Sequence, residues 1–303
     1  MPQGLKHDDR IGLLYALGGF ALLSCGDAVI KTMTGMWAPT AIATTRYVLG
    51  AIGLSALVAA RQGRAGFAVP LPGVQLLRGA AVAMATVGFF FAVFVMPLSE
   101  ATSITFTSPM ITALLAALFL GEPARRETWI ASCVAFGGVL IVLRPNFAAL
   151  GLAAFLPLLS AVGMSVLMIG NRASAGKATP LAMQFLVAAM ASPLLIAVTL
   201  IGNATGIERF AIHWPHWSVV ARCALVACSA SVAHWLIFLG TTRAGAAAIA
   251  PMTYVQLIVA LLLGWLVFGD VPDGVSLGGA AVIVGAGLYL WRAGRVREPA
   301  MTD

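Results

Sequence analysis

The sequence predicts an all-α membrane protein: ten transmembrane helices in two five-helix repeats of inverted topology. Three observations carry this expectation. The chain of 303 residues is 60% hydrophobic and only 10% charged, where soluble domains carry roughly a quarter charged residues. Its apolar residues form uninterrupted runs near the ~20 residues a helix needs to cross hydrocarbon. They lack the apolar/polar alternation of barrel strands. The chain also repeats itself. Thr102 to Arg144 and Ala250 to Arg292 each hold a long apolar segment, a Gly-acid break, a second apolar segment and a closing arginine. The breaks are Gly121-Glu122-Pro123 and Gly269-Asp270-Val271-Pro272.

The spans are read at 11–30, 39–60, 74–96, 99–121, 128–143, 149–170, 179–201, 218–240, 245–268 and 275–292. Connections are short except near 61–73 and 202–217, and the second of these, with Trp214, Pro215 and Trp217, has an interfacial composition. The polar start MPQGLKHDDR has no small-residue cleavage site, so the first span is expected to stay as an anchor. One set of loops and ends holds Lys6, Arg10, Arg61, Arg64, Arg125, Arg126, Arg172, Lys177, Arg243, Arg292, Arg295 and Arg297. The other holds Lys31, Arg144 and Arg209 with acidic Asp270 and Asp273. Positive residues concentrate on the cytoplasmic side, so both termini are expected there. Five spans per repeat, 1–144 and 145–303, make the second half enter with opposite orientation. The net charge of +7 does not indicate nucleic acid, because the cations lie between apolar runs and form no patch. Cys25, Cys133, Cys223 and Cys228 all fall inside spans and read as small packing residues.

The chain resembles the EamA family of the drug/metabolite transporter superfamily. The most specific stretch is Pro97-Leu98-Ser99-Glu100-Ala101-Thr102-Ser103-Ile104-Thr105-Phe106-Thr107-Ser108-Pro109, followed by residues 113–122. Gly26-Asp27-Ala28-Val29-Ile30-Lys31, Arg46 with Ala51, and Ala250-Pro251-Met252-Thr253-Tyr254-Val255-Gln256-Leu257 also match. The resemblance covers essentially the whole chain. It implies a ten-helix inner-membrane carrier of small metabolites, often an amino-acid exporter, with a central cavity lined by spans 1, 3, 4, 6, 8 and 9.

Candidate site residues follow from the cost of polar groups in hydrocarbon. Asp27 and Lys31 are four apart and share a helix face. Arg46 lies about two turns into span 2 from the same side, and Glu100 opens span 4 there. Asp27 and Arg46 read as a pair that closes an outer gate or meets a zwitterionic substrate, or else as a structural pair pinning spans 1 and 2. Lys31 and Glu100 read as interfacial. Pro109 and Pro251 interrupt spans 4 and 9 and are hinge candidates; each would free the carbonyl four residues earlier, on Thr105 and Ala247. Thr105, Ser108, Tyr254 and Gln256 surround these breaks and are candidates to line a binding site at the repeat interface. His234 and Trp235 lie inside span 8, and the imidazole is the candidate for proton coupling. Phe89, Phe90 and Phe91 read as packing, and Arg78 and Arg222 as snorkelling at helix ends. Small residues recur four apart at Ala131/Ala135, Ala244/Ala248 and Ala281/Gly285, a spacing that permits close helix packing.

The sequence contains no GxxxxGK[ST], HExxH or GxSxG motif and no cluster with metal-ligand spacing. No cofactor or metal is expected, and transport would run on substrate or ion gradients. The leading reading is a secondary transporter exporting amino acids or related metabolites by alternating access. The alternative is an importer of a ring-bearing metabolite such as a vitamin or nucleoside derivative. A membrane scaffold or enzyme is the third. The expected partners are a small-molecule substrate and the bilayer, and the oligomeric state is left open.

Overall fold

Hydrocarbon offers no partner to a backbone N–H or C=O, so a spanning segment must close its own hydrogen bonds. The chain does so with helices. A computed structural model describes residues 7–119, 126–174, 176–244 and 250–295, and among these there is no strand. The helices are α1 (His7–Lys31), α2 (Pro39–Gln62), α3 (Pro72–Val95), α4 (Leu98–Thr105), α5 (Ser108–Phe119), α6 (Arg126–Leu150), α7 (Leu156–Ala173), α8 (Pro180–Ala204), α9 (Trp217–Ala244), α10 (Val255–Phe268) and α11 (Gly274–Arg295). Six are long and apolar enough to cross a membrane, and shorter apolar helices run over Trp129–Val142, Met252–Phe268 and Gly274–Tyr289.

Local chemistry sets the helix ends. Pro39, Pro72 and Pro180 each open a helix, where the missing N–H would be unpaired anyway. Thr179 caps α8 by accepting from the Ala182 amide at 3.2 Å. Asp273 caps α11, accepting from the Ser276 amide at 2.7 Å. These Ser276 hydrogen bonds hold the Asp273 carboxyl below the ordinary carboxylate range. The cap is therefore present above the unfolded value and is lost as pH falls through the lowered one. At the other end of the same loop, Gly269 takes φ +68, its amide bonds Trp265 O at 3.1 Å, and the Asp270 amide bonds Gly264 O at 2.9 Å. The Gly269–Trp265 bond is the 5→1 bond of an αL stop, which favours a left-handed glycine.

Three boundaries differ from those expected. The segment expected as one span over 99–121 is two helices, α4 and α5, separated at Phe106 and Thr107. The helix expected to end at 143 runs to Leu150, through Pro145; the turn comes at Gly151, with φ +58, and α7 begins only at Leu156. A proline removes one bond and can be carried inside a long helix, whereas a left-handed glycine redirects the chain. Within the ninth expected span, Ala250–Tyr254 form a short 3-10 turn and the α-helix begins at Val255, while 245–249 lie outside the described residues. The Gly121-Glu122-Pro123 break and the Ala247 carbonyl lie outside the described residues.

Four pairings dominate the packing: α1 against α9, α3 against α7, α6 against α11 and α2 against α8. Glycine lets these backbones meet. A Cβ on Gly163 of α7 would stand 2.7 Å from Ala81 O, and one on Gly19 of α1 would stand 2.7 Å from Ala233 O of α9. Such approach supplies the van der Waals contact that holds helices together in lipid. Across α6 and α11, Gly138 lies against the Gly279 carbonyl, while its neighbour Gly137 faces open space. Ala131 and Ala135 of α6 are also buried, whereas the Ala244/Ala248 pair has no described side chains. Gly138→Ala should therefore destabilise the solubilised protein by about 1–3 kcal/mol through overpacking. Gly137→Ala should be neutral or stabilising, because alanine is the better helix former. Thermal unfolding of the two variants in one detergent checks this pair.

Candidate functional site

The charged residues of α1 and α2 meet α9 about one turn below the Lys31 end of the bundle. Asp27 and Gly26 of α1, Arg46 of α2, and Val226, Ser229 and Ala230 of α9 line a cleft, with Leu23 one turn deeper. The enclosed space is about 20 Å³, room for about one water, so any metabolite needs the helices to part.

Asp27 and Arg46 share this cleft without forming a contact ion pair. Among the described residues, neither has a hydrogen bond or a charged partner within 4 Å. The Arg46 guanidinium instead lies over aromatic faces, 5.1 Å from the Tyr47 ring and 5.7 Å from the Phe90 ring. Rings stabilise a desolvated cation through their quadrupole and leave its N–H groups free for an anion. Tyr47 is in turn held by Thr86 at 2.9 Å. The expected direct Asp27–Arg46 pair is thus replaced by two separated opposite charges facing one space.

The other two charges expected nearby have partners of their own. Lys31 forms an ion pair with Asp270, just past the end of α10, and donates to Met96 O at 3.4 Å. Its ammonium sits 4.9 Å from the centroid of Phe268. Lys31 is thus not a snorkelling cation. Glu100 accepts from Ser276 Oγ of α11 at 3.1 Å and is buried. These contacts tie the tips of α1, α4, α10 and α11 together. Around them Ile30, Met33, Ile42, Met96, Leu98, Cys223 and Val226 are buried in one apolar cluster.

The two helix breaks also come together. Phe106, at the first break, packs edge-on to Tyr254, at the second, with ring centroids 5.6 Å apart. Tyr254 lies against Gly287 of α11, where any side chain would collide with the phenol. Each break is followed by a helix whose first turn receives a serine hydroxyl from elsewhere. Ser165 of α7 shares its one hydroxyl proton between Ala161 O of its own helix at 2.7 Å and Ser108 O at 2.9 Å, and Ser24 of α1 donates to Gln256 O at 3.0 Å. Thr105 bonds its own helix at Ala101 O, 2.9 Å away. Pro109 is the second residue of α5, and Pro251 lies in the 3-10 turn before α10. Neither kinks a continuous helix; each sits where a lost N–H costs little.

His234 stands one turn beyond Ala230 on the cleft-lining face of α9 and is exposed. Trp235, the next residue, is 50% exposed and pairs with Phe238 at 6.1 Å, so it is not brought to the cleft. Arg78 is only 4% exposed and does not snorkel. It donates to Asn171 Oδ1 at 2.8 Å, to Gln75 and to Met183 Sδ at 3.3 Å, and Gly170 leaves the space its stem fills. Arg222 donates to Thr32 O at 3.2 Å and lies 3.2 Å from Met36 Sδ. Sequence reasoning missed Asp270 as a partner and Ser24 and Ser165 as anchors. The Gly269-Asp270 break itself was visible, because glycine commonly ends a helix. The serines gave no signal, since hydroxyls in spans commonly bond their own helix.

A double-mutant cycle separates these two charge pairs. Lys31→Gln with Asp270→Asn should show a coupling of about 1 kcal/mol in thermal stability, as a partly screened contact pair does. Asp27→Asn with Arg46→Gln should couple by less than half of that, because the charges do not touch. Unfolding of all six variants at one salt concentration measures both.

The chain matches the model of the EamA-like transporter family over residues 10–144. It is 30% identical to a riboflavin transporter of Rhizobium johnstonii over 79% of this chain and 78% of that one. It is 26% identical to an S-adenosylmethionine uptake transporter of Rickettsia bellii over 72% of both chains. A pseudopaline exporter of Pseudomonas aeruginosa is 26% identical over 93% of this chain and 96% of its own. One solved crystal structure shares the fold, with a TM-score of 0.63 over 94% of this chain and 98% of that chain at 18% identity. With its apolar helices, paired helix breaks and charged cleft, the chain is a multi-pass membrane protein that belongs to the EamA-like family of drug/metabolite transporters.

Proposed function

We propose that the protein is a secondary transporter that carries a small zwitterionic metabolite by alternating access between two inverted repeats, 1–144 and 145–303, in the inner membrane. The observation that carries this reading is the cleft between α1, α2 and α9, where a carboxylate and a guanidinium face one space without neutralising each other. Two separated opposite charges suit a ligand with an ammonium and a carboxylate, as in an amino acid or a molecule built on one. Asp27 would take the ammonium and Arg46 the carboxylate, with His234 at the edge as the candidate for proton coupling. Pro109 and Pro251 would act as hinges, because each opens a helix at a break where two rigid pieces meet.

The repeat reading is supported by contacts that recur when the halves are exchanged. On ten spans, α1 against α9 corresponds to α3 against α7, while α2–α8 and α6–α11 each join a helix to its own counterpart. Ser24 on Gln256 O corresponds to Ser165 on Ser108 O. Arg222 beside Met36 corresponds to Arg78 beside Met183. The charge bias of the loops supports both termini on the cytoplasmic side and Lys31 on the outer side.

By their names, relatives carry their substrates in both directions. Export of amino acids, the leading sequence reading, therefore rests on the cleft's chemistry and not on kinship. A ring-bearing substrate is the second reading, favoured by the Tyr47 and Phe90 rings beside Arg46. S-adenosylmethionine, named for one relative, has both an amino-acid end and a nucleoside ring.

Purified protein in liposomes, tested against amino acids, vitamins and nucleosides, decides between these readings. The expected result is gradient-driven flux of an amino-acid-bearing compound that falls at least about tenfold in Arg46→Gln and in Asp27→Asn, the loss of a charge-assisted bond being worth ~1.5–3 kcal/mol. Flux of neutral ring compounds alone, unaffected by either variant, would replace the zwitterion reading with the second one. Reporter fusions at Arg295 and near Asp273 should land on opposite sides of the membrane, and both on one side would refute the ten-span topology.

A further inference from the structure

We propose that Lys31 is the moving part of an outer gate, exchanging Asp270 for Asp27 when this end opens, and that a cationic group on the substrate drives it back. This rests on the reading of the cleft as the substrate site with Lys31 facing outward.

Lys31 is where α1 is joined to the tips of the opposite half. Its ammonium meets Asp270, and its only other described acceptor is the Met96 carbonyl at 3.4 Å. The αL stop at Gly269 sets Asp270 at the end of α10, so the pair spans two elements with no covalent tie nearby. The two side chains are 13% and 25% exposed, which leaves the bond partly screened and breakable.

A second carboxylate lies within reach. Asp27 is one turn below on the same face of α1, with the acid four residues N-terminal to the base, the favoured order for a helical ion pair. The lysine stem is long and flexible enough to reach either acid. Asp27 has no hydrogen bond or ion pair among the described residues, and the nearby Arg46 is engaged with rings. Two acids therefore compete for one lysine. Taking Asp27 releases Asp270, which unties the outer end of α10 from the tip of α1, while the deeper Ser24–Gln256 O bond stays in place. A substrate ammonium at Asp27 removes the competitor, and Lys31 returns to Asp270. The gate thus closes over a loaded site and opens over an empty one. A ligand shifts a conformational equilibrium only by its unequal affinity for the two states, and here the inequality is the charge Asp27 already holds. A substrate without a cationic group would not close the gate.

The test reads gate opening without transport. Ser103 lies beside Glu100 and Ser276 beneath this end and is 2% exposed. Ser103→Cys is made in the full chain with Cys25, Cys133, Cys223 and Cys228 replaced by alanine, and its labelling by a membrane-impermeant maleimide is timed in liposomes. Asp270→Asn should speed labelling about fivefold, the worth of one partly exposed pair. Asp27→Asn should slow it by a similar factor. In Lys31→Gln labelling should be fast, and adding Asp27→Asn should change nothing. Propylammonium should slow labelling when Asp27 is present and have no effect in Asp27→Asn. The proposal is overturned if Asp27→Asn labels as fast as its parent or faster, if it still slows labelling in the absence of Lys31, or if propylammonium acts equally without Asp27. Because no substrate is needed, this result can fail while Asp27 and Arg46 variants still abolish flux, and the reverse.

Discussion

A helix that stops inside hydrocarbon must have its first turns held from outside, and this requirement organises the middle of the molecule. After each of the two breaks the new helix is pinned by a serine from a distant helix, Ser165 on Ser108 O and Ser24 on Gln256 O. At Gln256 O the serine uses the carbonyl's second lone pair, whereas Ser108 O also accepts from Thr112 Oγ1 at 2.8 Å and shares the Ser165 proton with Ala161 O. The breaks then stack ring to ring through Phe106 and Tyr254. In lipid no hydrophobic effect drives helices together, so polar ties and tight packing must position them. The serine ties place α1 beside α10 and α7 beside α5, and the cleft lies on the flank of α1 that these contacts leave free.

Packing completes that placement. Gly19 and Gly163 bring α1 onto α9 and α7 onto α3 at backbone distance. Tight α1–α9 contact sets the depth at which Asp27 faces Val226, Ser229 and Ala230. Arg46 reaches the same depth from α2, whose own position is tied to α3 by Tyr47 on Thr86 and to α8 by Thr44 on Thr199 at 2.8 Å. The rings under Arg46 take the place of a counter-carboxylate. A cation stabilised in this way stays available to an incoming anion, which a salt-bridged arginine would not.

Charge is separated by depth. At the Lys31 end, Lys31–Asp270 and Glu100–Ser276 form closed contacts between helix tips. One turn deeper, Asp27 and Arg46 stay apart. The apolar cluster that includes Ile30, Met96 and Val226 packs around both levels. Arg78 shows a different solution at the opposite end, where a buried guanidinium is satisfied by neutral acceptors on α3, α7 and α8.

The linear sequence was enough for the membrane class, the helical character, the family resemblance and the general positions of the spans. Each follows from composition or from residues adjacent in the chain, and the bilayer imposes the same length and polarity on every span. Asp27 and Arg46 were legible as charges that must share a polar space, because a charge inside a span is costly wherever the span lies. Their relation was not legible. Whether two charges touch depends on helix rotation and crossing, which the glycine contacts and serine ties set across distances of up to 232 residues in the chain. Lys31 could have paired with Asp27, four residues away, yet the fold gives it to Asp270, 239 residues away. Trp235 looked as well placed as His234, but neighbours on a helix point about 100° apart, and only tertiary packing decides which of the two meets the cleft.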